Sequence, residues 1–384
     1  MSQLLRASAA HRWMTCPGSA KMEQVAVEVN PNPNVAGGAA LEGTFIHELA
    51  EHCIYEGQLP SEVEIVGTVG PNGETIYCIP TEAMVECAAR YLDEIDIAVQ
   101  EAEQGARLGV EEHQDMSHIT GTLLDTCIPD FYWMDDTTLS VHDLKCGYWE
   151  VSPVLNEQLM IYASCIAREH KFKGKRILLN IHQVRLGPVK TFETDTTALE
   201  LFVQKAQKAS ALANTCDVGS ELYPSEQGCK FCKAAGSCPA LRAEIDDLLC
   251  GIDAPKSEQA TDYGKIALIR IWCDRVEQLA LDQAHQGKPP KGFKLVYAKS
   301  PPPAWQEGIE ATFKKLKVAN KVAYKKVPRT PTQLKKELKD TPVWKKLEKY
   351  VQRREPKLTL VSEADERRAV NPADEVASLL MEKT

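Results

Sequence analysis

Two carboxylates and a lysine carry the most chemistry in this 384-residue sequence. Asp143 and Lys145 stand two apart in Asp143-Leu144-Lys145, and Asp125 lies eighteen residues upstream. On a strand, residues i and i+2 share a face, so Asp143 and Lys145 project side by side while Asp125 approaches from a neighbouring strand. Two carboxylates offer hard oxygen ligands to Mg²⁺ or Mn²⁺. An ammonium beside them can orient or help deprotonate a water and offset charge developing on a phosphate. Those are the parts that hydrolysis of a phosphodiester needs.

His47 and Glu51 are four apart and share one helix face, where an imidazole could join the same metal with a carboxylate steadying it. Glu48 competes with Glu51 for that role. Gln158 and Tyr162 repeat the spacing on the helix after the Asp143 strand. Glu42, Glu111, Glu112 and Asp115 read as structural side chains. A second constellation is Cys229-x2-Cys232-x5-Cys238, whose three thiolates are too few for a closed tetrahedral site, so a fourth ligand must come from elsewhere.

The elements that position these groups follow from periodicity. Leu41 to Tyr55 and Thr81 to Ala106 run apolar at helical spacing. Gly109 to Trp149 reads as a strand meander, with Gly121 opening the run Thr122 to Ile128 and Asp135-Asp136 as a turn before the strand Thr138 to Lys145. A helix from Pro153 to about Arg168, a strand Arg176 to Val184, a short partner Val189 to Glu193 and a helix Thr197 to Asn214 complete the pattern. This order predicts an α/β class, a mixed sheet flanked by helices.

Taken in order, Gly43-Thr44-Phe45-Ile46-His47-Glu48-Leu49-Ala50-Glu51, Gly121-Thr122-Leu123-Leu124-Asp125, Asp143-Leu144-Lys145 and Gln158-Leu159-Met160-Ile161-Tyr162 resemble the motif set of the PD-(D/E)XK nucleases. The branch is that of the RecB and AddB nuclease domains and the CRISPR-associated adaptation exonucleases. The resemblance covers about residues 1–250. It implies a restriction-endonuclease-like fold, with His47, Asp125 and Asp143 as metal ligands, Lys145 as the catalytic lysine, and Gln158 and Tyr162 as the accessory motif that places DNA. No proline precedes Asp125, a departure from the name-giving Pro-Asp. The segment Trp13-Met14-Thr15-Cys16-Pro17 resembles the Cys-Pro entry of the same branch, which implies that Cys16 joins Cys229, Cys232 and Cys238 around a [4Fe–4S] cluster. Zn²⁺ on the same ligands is the alternative. Either would clamp the beginning of the domain to its end.

Composition bounds these readings. With 43% hydrophobic and 26% charged residues the chain is an ordinary folded protein, neither collagen-like nor disordered throughout. Thirteen cysteines without a secretory signal point to reduced thiols, and no apolar run spans a membrane, so a cytoplasmic protein is expected. The net charge of −9 hides an asymmetry: residues 1–290 carry 23 basic and 42 acidic side chains, and 291–384 carry 22 and 12. We therefore divide the chain into a nuclease domain with its cysteine site (1–250), a helical linker (251–290) and a basic region for DNA or a partner (291–384), where Trp305, Tyr324, Trp344 and Tyr350 lie among lysines. Lys171, Lys173, Lys175 and Arg176 form a further basic cluster for a passing phosphate backbone. The expected function is a metal-dependent DNA exonuclease. This domain layout resembles phage-encoded members, which places it in recombination or DNA processing in the host cytoplasm, with a single-strand-binding or recombination protein as a further partner. A structure-specific endonuclease and a non-cleaving DNA-binding or assembly factor are the alternatives.

Overall fold

The computed structural model describes residues 4–29, 38–70, 73–123, 125–250 and 264–285, with 288, 290, 291 and 293. The chain divides into two compact units, Met1–Tyr297 and Ala298–Thr384. Every described residue belongs to the first. Apart from 291 and 293, the basic region expected at 291–384 lies outside the described residues.

Along the first unit run helices α1 (Ala10–Trp13), α2 (Ser19–Val29) and α3 (Gly38–Glu56), a hairpin of β1 (Val66–Val69) and β2 (Thr75–Cys78), and α4 (Glu82–Gln100). Then come β3 (Arg107–Val110), β4 (Gln114–Asp115), α5 (Ser117–Thr120), β5 (Thr126–Cys127), β6 (Phe131–Met134) and β7 (Thr138–Leu144). The rest is α6 (Glu157–Glu169), β8 (Arg176–His182), β9 (Lys190–Asp195), α7 (Thr196–Thr215), α8 (Glu226–Lys230), α9 (Pro239–Cys250) and α10 (Ile266–His285). Side chains start the helices: Thr81 accepts from the Met84 amide, Asn156 from Gln158 and Leu159, so that α6 begins four residues after the expected Pro153, and Asp195 from Ala198, each occupying N–H groups that a first turn leaves free.

The central sheet is mixed, in the order β3-β6-β7-β8-β9. Only β7 and β8 are parallel, and they are joined through α6, the long crossover that a parallel pair requires. Asp135 closes the β6–β7 turn by accepting the amides of Thr137 and Thr138, both at 2.8 Å. All seven residues of β7 are buried, so both faces of the sheet are covered. Leu139, Val141, Ile177, Leu179 and Ile181 pack with Leu159, Met160 and Ala163 of α6. Phe131, Trp133, Leu144 and Leu178 face the other way, onto Ile46 and Leu49 of α3 and Ala88 and Tyr91 of α4.

Two expectations change. The run Thr122 to Ile128 does not enter the central sheet: Gly121, at φ 70°, ends α5, Leu123 is exposed, and only the two residues of β5 pair, with β4. The neighbour of β7 is instead β6, one short loop later. The helix expected as a linker, α10, belongs to the first unit, where Leu268, Ile271 and Trp272 pack on the segment containing Cys229 and Cys232. The unit boundary falls at 297/298, just beyond the Gly287 to Gly292 breaker cluster.

Candidate metal centre

The end of β7 and the start of α6 bring four expected residues together. Lys145 Nζ stands 2.6 Å from Asp143 Oδ2. Gln158 Nε2 donates to Asp143 Oδ1 at 2.9 Å and to the Tyr162 hydroxyl at 2.7 Å, while its Oε1 accepts from Lys145 Nζ at 3.2 Å. One amide thus ties the acid, the lysine and the tyrosine into a single network, as the i, i+4 spacing on α6 allows. Burial works against the Lys145 charge, but Asp143 and Asp130 outweigh it and hold the ammonium above its ordinary range. Asp143 is raised by burial despite the pull of Lys145, with Asp130 adding repulsion.

The acid facing this pair is Asp130. It sits one step beyond the Phe131–His142 pair of the β6–β7 ladder, hence opposite Asp143. Its Oδ2 accepts the Leu144 amide at 2.6 Å, and its Oδ1 lies 3.5 Å from His47 Nδ1. Burial would raise Asp130, but His47 and then Lys145 hold it down. Burial would likewise lower His47; the Asp130 charge and hydrogen bond prevail and lift the imidazole to about 9.

Glu111 completes the group. Ligand atoms of His47, Glu111 and Asp130 all lie within 4.8 Å of one another. Its backbone is left-handed, at φ 45°, a conformation that costs a non-glycine residue on the order of 1 kcal/mol and is held by the surroundings. Burial first, and then Asp130, push its carboxyl up to about 8. Glu51 and Tyr91 line the same small pocket. The Tyr91 hydroxyl is buried without a hydrogen-bond partner.

Asp125 does not belong here. Its carboxyl is buried beside Thr120 and makes no hydrogen bond or ion pair with Asp143, Lys145 or His47. The physical reason is the premature end of α5 at Gly121, which leaves Asp125 in a loop instead of on a strand next to β7. Glu111, read as structural, moves into the site; its sequence neighbours give no periodic signal because the left-handed turn aims it. Of the two rivals, Glu51 lines the pocket, and Glu48 accepts from Thr68 at 3.0 Å. The structural readings of the other acids agree with their contacts: Glu42 pairs with Arg185, Glu112 with Arg107, and Asp115 takes the Ser117 amide.

The four cysteines of the second constellation do share one place. Cys16, Cys229, Cys232 and Cys238 line a pocket together with Arg12, Met22 and Leu222. The Tyr223 amide donates to Cys16 Sγ across 207 positions of chain, and the Gly18 amide donates to the Glu221 carbonyl. None of the four is in a disulfide. Among the described residues, no three of these sulfurs come within 4.8 Å of one another. Burial raises the thiols of Cys16 and Cys229, and pushes Cys232 up to about 12.

A mixed α/β fold thus presents a buried carboxylate–lysine pair beside an imidazole and two further carboxylates. Residues 3–368 match the family described as "Protein of unknown function (DUF2800)", and the chain belongs to that family. A solved structure described as "Crystal structure of SSO0001" is similar at 12% identity over 57% of this chain and 95% of its own, with a TM-score of 0.24. Among the described residues no helix is long and apolar enough to cross a membrane.

Proposed function

We propose that this protein is a Mg²⁺- or Mn²⁺-dependent deoxyribonuclease that hydrolyses phosphodiester bonds at DNA ends. The observation that carries the reading is the 2.6 Å pair of Lys145 and Asp143 standing against the Asp130, His47 and Glu111 group. With Asp130 in place of Asp125, the sequence also has Pro129-Asp130 ahead of Asp143-Leu144-Lys145, so the departure from the PD-(D/E)XK pattern disappears.

The donor set fits the ion. Carboxylates suit Mg²⁺ and Mn²⁺, the imidazole favours Mn²⁺ of the two, and the buried Tyr91 hydroxyl still lacks a partner. His47, Glu111 and Asp130 would hold it, with Asp143 beside them. Bound there, the ion would supply Lewis-acid stabilisation of the phosphate and make water a better nucleophile at neutral pH. Lys145 is kept protonated by Asp143 and Asp130, so it orients water and offsets phosphate charge instead of accepting a proton. Gln158 freezes Lys145 and Asp143 in one geometry, which is how positioning lowers a barrier. Tyr162 supports Gln158 from the same helix face.

Cys16, Cys229, Cys232 and Cys238 would hold a [4Fe–4S] cluster as a clamp between the two ends of the domain. Tetrahedral Zn²⁺, with bonds of about 2.3 Å, would draw its sulfurs to within about 3.8 Å of one another. The same four ligands would serve either group, and metal analysis of the purified protein separates the two. Phage DNA recombination or processing in the host cytoplasm is the setting we assign, with the basic 291–384 region contacting DNA or a phage single-strand-binding or recombination protein.

The test is degradation of linear and circular DNA with Mg²⁺ or Mn²⁺ by the wild type and Lys145→Ala. Loss of linear DNA only, abolished by the substitution, is expected. Cutting of circles would favour a structure-specific endonuclease, and equal inactivity of both proteins a non-cleaving DNA-binding factor.

A further inference from the structure

We propose that the loop between β7 and α6, with the cysteine segment beside it, is a stacking platform for an unpaired DNA strand, so that the substrate reaches the site single-stranded. The inference deepens the nuclease reading and rests on it for its purpose. Three aromatic side chains are left open at this place: Tyr148 is 73% exposed, Trp149 68% and Phe231 55%. The loop starts at Lys145 and leads into α6, where Gln158 accepts from Lys145 at 3.2 Å. Trp149 is four residues past Lys145 and so no more than about 14 Å from it.

The platform is held, not loose. Gln183 is buried; its Nε2 donates to the Trp149 carbonyl at 2.7 Å and its Oε1 accepts the Val151 amide at 2.8 Å. The preceding residue, His182, accepts the Lys145 amide at 2.9 Å, so the loop is fastened to the same strand end as the lysine. Cations sit on the rings. Lys230 Nζ is 3.6 Å from the centre of Trp149 and 5.5 Å from that of Phe231, and the Arg185 guanidinium is 5.4 Å over Tyr148. Trp149 and Lys230 also line an open groove of about 550 Å³, together with Arg270 and Arg275 and the acids Glu226 and Asp274.

Aromatic faces with cations between them match one chemistry in particular. Unpaired bases stack on such rings whatever their sequence, and their phosphates meet the ammonium and guanidinium groups. A duplex keeps its base faces stacked inside and offers only the outer face of the terminal pair at each end. The cysteine segment thereby gains a second task, since Lys230 and Phe231 lie between Cys229 and Cys232.

The experiment measures anisotropy of fluorescein-labelled oligothymidylate and of a blunt duplex, with every protein carrying Lys145→Ala so that DNA stays intact. Trp149→Ala is expected to weaken single-strand binding about tenfold, with duplex binding unchanged and Trp149→Phe restoring most of the loss. Phe231→Leu should weaken it by a smaller factor. Unchanged single-strand binding by Trp149→Ala, or equal weakening for both DNAs, would overturn the platform. Failure here with cleavage by the Lys145 protein leaves the nuclease reading standing. Trp149-dependent binding without any cleavage removes only that reading.

Discussion

Asp130 Oδ2 accepts the backbone amide of Leu144 at 2.6 Å, so the acid at the mouth of β6 is fixed by the end of β7. This bond leaves the other oxygen for His47. Asp130→Asn keeps an acceptor for Leu144 but removes the charge, and should preserve the fold while lowering Mn²⁺ affinity and DNA hydrolysis at least about 100-fold. Asp125→Asn should stay within about fivefold of the wild type. Isothermal titration calorimetry with Mn²⁺ and a degradation assay check both; equal losses in the two variants would return the ligand role to Asp125.

Gln158 is the joint of the network, so Gln158→Ala should slow hydrolysis by roughly 10–100-fold through misplacement of Lys145 and Asp143. It also strips Asp143 Oδ1 of its donor, which costs about 1–3 kcal/mol for a buried acceptor. Urea unfolding reads the second effect and single-turnover kinetics the first. A stability loss with an unchanged rate would make Gln158 a structural residue only.

The opposite face of β7 gives a pH prediction. Burial, and then His182, hold the buried His142 well below the ordinary imidazole range. The folded state refuses a proton that the unfolded chain accepts, so this contribution is unaffected above about pH 6.5 and stability falls as pH drops below it. Ser140, at 2.9 Å, and His182, at 2.9 Å, hold the ring in place. His142→Asn will be less stable at every pH, but the difference between the two proteins should shrink between pH 7 and pH 5. Parallel stability curves would show that His142 does not resist protonation.

Much of this architecture was legible beforehand, and the miss is instructive. Alternation gave β7, the run Arg176 to Val184 gave β8, and α4 was expected from Thr81. Asp125 was chosen because it lies in a run that reads as a strand and because Gly121 to Asp125 resembles a nuclease motif, yet the hairpin already held the answer. A turn at Asp135-Asp136 that pairs Met134 with Leu139 pairs Phe131 with His142, and the next step outward sets Asp130 opposite Asp143. Counting outward from the turn, instead of reading hydrophobicity alone, finds Asp130. Glu111 is different in kind, because a left-handed residue between two short strands has no periodic signature.

The cysteine pocket predicts a brown protein. Anaerobic purification should yield a broad visible absorbance and about four iron atoms per chain, lost in Cys232→Ser. Because the site closes a very long loop, that variant should also lose stability by roughly 3–5 kcal/mol. A colourless wild type containing zinc would leave the clamp but not the cluster.

Gly18 offers a test that needs no cofactor. A Cβ there would lie 1.9 Å from the Ser220 carbonyl oxygen, a backbone atom that cannot swing aside. Gly18→Ala should cost about 3 kcal/mol in thermal or urea unfolding, whereas Gly187→Ala, with nothing within 4 Å, should change little. Similar stabilities would show that the N-terminal segment is free to shift.

The left-handed backbone at Glu111 has a mechanical side. β3 ends one residue before it, so the outermost strand on that side of the sheet and a carboxyl of the pocket are coupled through a single sprung residue. Peeling that border strand would let the spring relax toward an extended shape and swing the carboxyl out. The rim of the sheet is therefore joined, through one residue, to the cluster of His47, Glu111 and Asp130.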